Sequence, residues 1–396
     1  MTLAGRPPAA ALVFRTLLVQ GPLTRAELGR RTGLSPGAVT KVAAPLLADG
    51  WITELGRPAG ERASGRPATP MAVRAERARF IGVKVTADEL IGVLTDLTAT
   101  PLATRRAPLA SRDVDSVVRA IARLVTRLRT AGGAAKDGAA KGSTAEHGAE
   151  SPGGVHGIGV TLAGDIDARA GTVQYSPFLD WRQVPLARLA GAATGTPTVV
   201  DNDVRALTVA EQWFGAGAGL SSFALVTVGA GIGCGIAVDG RVVSGAYGVA
   251  GEAGHLPVGG DRVCTCGNTG CVEAVAATHA ITEQARQATG DPGMTMAAAV
   301  RRAHAGDPAV REVFARAGRA LGLAMASIAN LVGPQRIVIS GEGVASYDLF
   351  ADAVRAAFRA QAFGAAAECD LVVRPLPFEA WARGGAAVAA QQVFAP

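Results

Sequence analysis

The stretch AGEAGHLPVGGDRVCTCGNTGCVEA, residues 250–274, holds three of the five cysteines in the 396-residue chain. They follow the spacing C-x-C-x4-C, and the glycines between them let the backbone turn sharply enough for several thiolates to converge on one ion. A structural zinc ion needs four ligands, and the candidate fourth ligand is His255, with His279 as the alternative. A set of reduced or redox-active thiols is the competing interpretation. The three cysteines are Cys264, Cys266 and Cys271.

Length and composition favour a multidomain protein of the reducing cytoplasm. The chain is too long for one ordinary domain, and 49% hydrophobic residues are enough for large cores. The longest apolar stretch, residues 321–332, is too short to span a membrane, and the N-terminus lacks the pattern of a signal peptide. Five cysteines without an export signal favour metal or redox chemistry over a disulfide framework. We therefore expect a cytoplasmic protein with no membrane association.

The positive charge is concentrated at the N-terminus. Residues 1–75 carry ten basic and four acidic side chains, which accounts for the whole net charge of +6. The rest of the chain is therefore neutral. A solvated basic surface is one explanation, and a domain that binds a polyanion such as DNA is the other.

The basic segment has the pattern of a helix-turn-helix. Its third helix has Ser35 as N-cap, Pro36 at the first position and Gly50 at the end. The apolar stripe of this helix leaves polar residues near its N-terminus on the opposite face, which is where a recognition helix contacts bases. Pro45 lies inside the helix and should remove a hydrogen bond, at a cost of about 3 kcal/mol. The helices are predicted at residues 10–20, 24–33 and 34–50, and the candidate DNA contacts are Ser35, Gly37, Thr40 and Lys41.

A wing is predicted after the third helix. WITEL, residues 51–55, suits a strand, and two Gly-Arg-Pro triplets follow it that cannot form regular structure. Each triplet holds an arginine, Arg57 or Arg66, on an extended backbone that fits a narrow minor groove. An ordinary interdomain linker is the alternative. We predict that residues 1–75 form a winged helix-turn-helix domain with its linker and bind double-stranded DNA.

The remaining residues predict an α/β body. Residues 79–100 alternate polar and apolar, as in a β-hairpin or meander, and residues 113–130 form an amphipathic helical pattern. Residues 131–154 have no periodicity and predict a disordered surface insert. Strands and helices alternate from residue 155 onwards, which is typical of an α/β architecture.

The cysteine stretch is also where the sequence resembles a known family. AGEAGHLPVGGDRVCTCGNTGCVEA is similar to the zinc signature of the ROK family, which groups transcriptional repressors, uncharacterised reading frames and sugar kinases. VTLAGDIDARAGTVQYSPFLDWRQVPL, residues 160–186, and VVDNDVRALTVAE, residues 199–211, resemble the family's segments before the sugar site and around the catalytic aspartate. The resemblance covers almost the whole chain. It implies a two-lobed, actin-like or ribonuclease H-like body of the ATPase type, with sugar bound in the cleft.

The resemblance implies the remaining domain boundaries. We expect a small α/β lobe at residues 76–196, a large α/β lobe with the zinc site at residues 197–380, and a C-terminal helix at residues 381–396 that returns to the small lobe.

Functional residues are implied as well. In the family's kinases, the residues matched by Asn202 and Asp203 contact sugar hydroxyls, and the aspartate is the catalytic base. The zinc ion would be structural and would fix the loop that carries Glu252 and Glu273. Its histidine ligand would keep the second ring nitrogen as a hydrogen-bond donor. The matched sugar contacts are Asn202, Asp203, Glu252, His255 and Glu273, and the matched zinc ligands are His255, Cys264, Cys266 and Cys271.

Two departures from the family pattern favour a repressor over a sugar kinase. Kinases of the family open the body with a D-x-G-G-T turn that holds metal-bound phosphates, whereas here Lys84 replaces the aspartate and residues 85–87 replace the glycine turn. In VGAGIG, Ala230 replaces the usual threonine and removes a hydroxyl donor to phosphate. Asp203 would then be a vestigial base without a catalytic function.

The sequence therefore predicts a sugar-responsive transcriptional repressor of carbohydrate metabolism genes that is not an enzyme. The alternative is an ATP-dependent sugar kinase with an appended DNA-binding domain. A zinc-sensing regulator is less favoured because a Cys3His set is a closed, structural site. The expected partners are a double-stranded DNA operator and a small sugar. A homodimer or homotetramer is expected because a palindromic operator is bound by two DNA-binding domains.

Overall fold

The computed structural model describes residues 6–55, 69–132 and 154–394. Arg57 and Arg66 lie outside the described residues, and so do both Gly-Arg-Pro triplets and most of the predicted insert.

Two compact units make up the described chain. The first extends to Gly219 and includes the C-terminal helix from Glu379 onwards. The second comprises Leu220–Phe378. Asn202 and Asp203 therefore belong to the first unit, and the cysteine cluster belongs to the second.

The N-terminal module of the first unit is a winged helix-turn-helix, as the sequence predicts. Thr24 and Glu27 exchange hydrogen bonds between side chain and backbone, so a capping box starts the second helix. The Ser35 hydroxyl caps the third helix by accepting a hydrogen bond from the Ala38 N–H at 3.3 Å. Two antiparallel strands form the base of the wing. The elements are α1 (Pro8–Gln20), α2 (Arg25–Thr32), α3 (Pro36–Ala48), β1 (Ile52–Glu54) and β2 (Met71–Val73).

Pro45 does not end α3, although it removes one hydrogen bond from the helix. The helix continues to Ala48, and the proline ring is exposed. Val39, Ala43 and Leu46 of the same helix are fully buried. Burial of this face and the N-cap together hold the helix across the proline.

A mixed sheet with the strand order β10–β6–β3–β4–β5 forms the body of the first unit. β3, β4 and β5 form the predicted antiparallel meander, and β6 and β10 extend it in parallel. The predicted amphipathic helix, α4, packs its apolar side chains against one face. A small antiparallel sheet, β7 to β9, and the short helix α5 lead into β10. The elements are β3 (Arg79–Val85), β4 (Glu89–Asp96), β5 (Pro101–Pro108), α4 (Val114–Ala131), β6 (Val155–Leu162), β7 (Asp165–Asp167), β8 (Thr172–Ser176), β9 (Trp181–Val184), α5 (Leu186–Thr194), β10 (Thr198–Asn202) and α6 (Asp203–Phe214).

The C-terminal helix, α12 (Glu379–Phe394), covers the other face of the sheet. Alternate residues of β3 face it: Phe80 shares a core cluster with its alanines, and the Lys84 ammonium lies 5.3 Å from the centre of the Trp381 ring. Between them, a Cβ at Gly82 would overlap the backbone of α12. Glycine at this position therefore allows the helix to lie directly on the sheet.

The winged-helix module shares its hydrophobic core with the body of the first unit. Phe14 and Leu17 of α1 belong to the same buried cluster as Trp213 near the end of α6 and Ala386 of α12. The module thus packs on α6, the helix that begins at Asp203.

The second unit is a mixed sheet with the strand order β13–β12–β11–β14–β15, packed against helices. β11 and β12 form the predicted glycine-turned hairpin, and the predicted long helix, α10, precedes the buried strand β14. Within the described ranges, no helix is long and apolar enough to cross a membrane. The elements are β11 (Phe223–Val228), β12 (Ile232–Val238), β13 (Arg241–Val242), α7 (Glu273–Ala276), α8 (Thr278–Thr289), α9 (Met296–His304), α10 (Pro308–Val332), β14 (Arg336–Ser340), α11 (Ala351–Gln361) and β15 (Asp370–Val373).

Candidate functional site

The predicted zinc ligands of the second unit lie together. The ligand atoms of His255, Cys264, Cys266 and Cys271 are all within 4.8 Å of one another. The Cys266 and Cys271 sulfurs are 3.8 Å apart, and the Cys264 sulfur is 3.6 Å from Nδ1 of His255. A tetrahedral zinc ion with bonds of ~2.3 Å to sulfur and ~2.0 Å to nitrogen would give separations of about 3.8 Å between two sulfurs and about 3.5 Å between sulfur and nitrogen. The four residues therefore fit a metal ion of this kind.

Tight turns bring the cysteines together. The Cys264 N–H donates to the Asn268 carbonyl at 2.8 Å, and the Gly267 N–H donates to the Cys264 carbonyl at 2.9 Å. Gly267 and Gly270 have φ angles of +90° and +77°, which side-chain-bearing residues rarely adopt. The glycines singled out in the sequence are thus the residues that allow the thiols to converge.

His255 presents its two ring nitrogens to different partners. Nδ1 faces the cysteine sulfurs, and Nε2 lies 4.0 Å from a carboxylate oxygen of Glu252. A metal on Nδ1 would leave the proton on Nε2, so that Nε2 becomes a fixed hydrogen-bond donor beside Glu252.

Glu273 connects the cysteine loop to the turn between β11 and β12. One carboxylate oxygen accepts a hydrogen bond from the Thr265 hydroxyl at 3.0 Å, and the other accepts one from the Ile232 N–H at 3.1 Å. Thr265 lies between two of the cysteines. Because a carboxylate has about four lone-pair sites, Glu273 can hold both elements and still accept a hydrogen bond from a ligand.

The same turn is occupied by a second carboxylate, which the sequence interpretation missed. Glu342, just after β14, accepts a hydrogen bond from the Ala230 N–H at 2.8 Å. A Cβ at Gly229 would overlap this carboxylate, so the glycine makes room for it. The turn was singled out as a phosphate-binding segment in kinases, and here a side chain of the protein uses its amide.

In the first unit, Asn202 and Asp203 form the start of α6. The Asn202 side-chain oxygen accepts hydrogen bonds from the N–H groups of Val204 and Arg205 at 2.9 and 3.2 Å, and its amide nitrogen donates to the Gly164 carbonyl at 3.1 Å. Asp203 is buried in the first turn, where the helix dipole favours a negative charge.

Two buried ion pairs surround this helix start. The Lys84 ammonium pairs with the Asp203 carboxylate. Arg205 pairs with Asp201 at 2.6 Å and also donates to the Ile166 carbonyl at 2.8 Å. Burial raises the pKa of the Asp201 carboxyl, and the adjacent guanidinium acts in the opposite direction.

These pairs differ in how visible they are in the sequence. Asp201 and Arg205 lie four residues apart, on either side of the junction between β10 and α6, so their contact is local in the sequence although helical spacing does not predict it. The Lys84–Asp203 pair joins residues 119 positions apart, and no local pattern predicts it.

The candidate DNA-binding residues of α3 share one solvent-exposed face. Ser35, Gly37, Thr40 and Lys41 are all exposed. Two of these side chains already form hydrogen bonds within the helix: the Ser35 hydroxyl caps it, and the Thr40 hydroxyl donates to the Pro36 carbonyl at 3.0 Å. Lys41 is the one cation of this group.

Comparisons with known proteins match both parts of the chain. The ROK family model matches residues 143–392, and the MarR family model matches residues 4–63. The xylose repressor of Caldicellulosiruptor bescii is 25% identical over 366 residues, which are 89% of this chain and 87% of that protein. The DNA-binding transcriptional dual regulator NagC of Escherichia coli strain K12 is 29% identical over 368 residues, which are 90% of this chain and 86% of that protein.

Solved structures also resemble most of the chain. A ROK family transcriptional regulator described as a homologue of the Escherichia coli MLC protein aligns with a TM-score of 0.78 at 25% identity, covering 97% of this chain and 96% of that one. The ROK hexokinase of Thermus thermophilus aligns with a TM-score of 0.67 at 26% identity, covering 80% of this chain and 99% of that one. The body is therefore shared with regulators and kinases, and the predicted fold class is confirmed.

Proposed function

Because the chain belongs to the ROK family, we propose that it is a sugar-responsive transcriptional repressor of carbohydrate metabolism genes. The observation that carries the proposal is helix α6. It begins at Asp203, the residue matched to the family's sugar contacts, and Trp213 near its end lies in the core of the winged-helix module. A single helix thus connects the candidate effector site to the DNA-binding domain. The xylose repressor and NagC, which align with about nine tenths of this chain, are named as regulators and support the same function.

The DNA-binding surface we propose is the exposed face of α3. Lys41 would contact a phosphate, and Ser35, Gly37 and Thr40 would lie towards the bases or the sugar-phosphate backbone. Arg57 and Arg66, outside the described residues, are proposed to enter the minor groove. Two copies of the chain would be needed for a palindromic operator, so we propose a homodimer or homotetramer.

Each unit carries proposed sugar contacts that match those of the family. In the first, Asn202 and Asp203 stand at the positively polarised end of α6. In the second, Glu252, His255 and Glu273 are held by the cysteine loop and by the turn before β12. Carboxylates that accept hydrogen bonds in pairs suit the hydroxyl donors of a sugar.

We propose that the cluster of His255, Cys264, Cys266 and Cys271 binds one structural zinc ion. All four ligand positions would come from the protein, which leaves no open position for a reactive water. The ion would hold the orientation of His255 and, through Thr265, of Glu273.

The alternative function, a sugar kinase, is disfavoured by two contacts. Lys84 pairs with the carboxylate that would act as the base, and it stands where a kinase needs an aspartate to hold metal-bound phosphates. Glu342 occupies an amide of the turn that would bind phosphate and adds a negative charge there. The first contact opposes proton abstraction and metal binding, and the second opposes binding of the ATP phosphates.

The full-length protein can be tested by isothermal titration against a panel of sugars, ATP and both together. A repressor should bind one sugar with an affinity that ATP does not change, and no sugar phosphate should form. Saturable ATP binding followed by conversion of the sugar to its phosphate would establish the kinase instead.

A further inference from the structure

The charges around Asp203 balance within the protein. Four buried or nearly buried ionisable side chains form two complete ion pairs: Lys84 with Asp203, and Arg205 with Asp201. The residues opposite Lys84 on the neighbouring strands, Ile91 of β4 and Thr161 of β6, carry no charge. These four side chains therefore contribute no net charge at the position of a ligand that reaches Asp203.

A neutral hydroxyl can be added to this arrangement without breaking either pair. One oxygen of the Asp203 carboxylate faces Lys84, and the other accepts a hydrogen bond from the Val204 N–H at 2.9 Å. Each oxygen has two lone pairs, so acceptor capacity remains for a sugar hydroxyl. The Lys84 and Asp203 side chains are 8% and 9% exposed, so the pair is not completely sealed.

A phosphate ester at the same hydroxyl would meet a different environment. It carries a charge of about −1.5 to −2 at neutral pH. To pair with Lys84 it would have to displace Asp203, which would leave a buried carboxylate without a counter-ion. If the Lys84–Asp203 pair stayed intact, the phosphate itself would be the uncompensated charge, next to a carboxylate.

We infer that the effector of this protein is a neutral sugar and not a sugar phosphate, and that the Lys84–Asp203 pair is the specificity determinant. The inference rests on the proposed function, because it takes Asp203 as a sugar contact.

The first experiment uses the wild-type, full-length protein. Isothermal titration compares glucose with glucose 6-phosphate, and N-acetylglucosamine with its 6-phosphate. The neutral member of at least one pair should bind at least about 10-fold more tightly than its phosphate, equivalent to one uncompensated interaction with a charged group. Tighter binding of either phosphate ester would overturn the inference.

The second experiment removes the counter-ion and uses inorganic phosphate as the probe. Asp203→Asn leaves the Lys84 ammonium without its partner and should bind phosphate at least about 10-fold more tightly than wild type. Asp201→Asn is the matched control, because it frees the other buried cation, Arg205, which is still held by the Ile166 carbonyl. If the phosphate affinity of Asp203→Asn does not increase, or if that of Asp201→Asn increases equally, Lys84 does not determine specificity.

The two experiments also separate this inference from the proposed function. If wild type binds none of the four sugars and esters, the proposed sugar site loses support, and the phosphate titration still decides whether the pair controls anion binding. If Asp203→Asn does not fold, the comparison of neutral and phosphorylated sugars on wild type decides the inference alone.

Discussion

Replacing Lys84 with methionine should destabilise the first unit strongly. Methionine has a similar length but no charge, so the variant leaves Asp203 buried without a counter-ion. Both side chains of the pair are less than one tenth exposed, so solvent screens the remaining charge weakly. Removing one partner of a buried pair costs about 3–5 kcal/mol, and we expect a loss of about 3 kcal/mol in the free energy of unfolding.

The magnitude is tested by a double-mutant cycle. Asp203→Asn in the Lys84→Met background removes the uncompensated charge and should recover much of the loss, with a coupling energy of about 2–3 kcal/mol. Arg112→Met is the control, because it breaks a pair with Asp88 whose side chains are 54% and 87% exposed, and its effect should be much smaller.

Tryptophan fluorescence during urea unfolding is a suitable assay. The chain has four tryptophans, and all of them lie in the first unit: Trp51, Trp181, Trp213 and Trp381. The signal therefore reports the unit that contains the ion pair. If Lys84→Met unfolds at the same urea concentration as wild type, or if the double variant loses as much as the sum of the single variants, the pair does not have the buried, compensating role described above.

Three further predictions concern the other parts of the molecule. Purified protein should contain about one zinc ion per chain, and Cys266→Ala should lose both the ion and sugar binding. The control variant Cys369→Ala, outside the cluster, should keep both. Normal sugar binding by zinc-free protein would contradict a structural role for the ion. Lys41→Ala should weaken binding to every DNA sequence and reduce the salt dependence by about one unit, while Arg301→Ala should not; an unchanged salt slope would exclude a phosphate contact. Glu342→Ala should free the Ala230 N–H and allow weak ATP binding that wild type lacks. If wild type and the variant bind ATP equally, the Glu342 carboxylate does not block the turn.

The local structure of the chain followed from local signals. The capping box at Thr24 and Glu27 and the N-cap at Ser35 are short-range hydrogen-bond patterns, and the structure forms both. The meander from Arg79 and the hairpin from Phe223 follow from alternation and glycine turns. Even Pro45 is tolerated, because the buried face of α3 outweighs one missing hydrogen bond.

The candidate site could be predicted only in part, because its polar side chains are paired across long distances in the sequence. The cysteine cluster could be predicted from the sequence, because three of its ligands lie within eight residues and the glycines fix the turns. No local sequence pattern predicts the partners of Asp203 and of the Ala230 N–H. Lys84 and Glu342 reach them only after two strands or two loops have been brought together by the sheets. In the sequence, Lys84 is only a departure from a kinase motif and Glu342 carries no signal, whereas in the structure each makes a contact of its own.

The most direct test of the proposed function is a gel-shift titration of one operator with one sugar. A genomic fragment selected by the protein serves as operator, and the sugar is the one that binds in the titration panel. Wild type should bind the fragment and change its affinity when the sugar is added, without ATP. Asp203→Ala should lose stability because Lys84 is left without its partner, but the folded variant should bind the fragment as wild type does. It should require roughly 10- to 150-fold more sugar, the effect of losing a charged hydrogen-bond acceptor. If Asp203→Ala responds at the wild-type sugar concentration, or if no sugar alters DNA binding by wild type, the start of α6 is not the effector site and the account is contradicted.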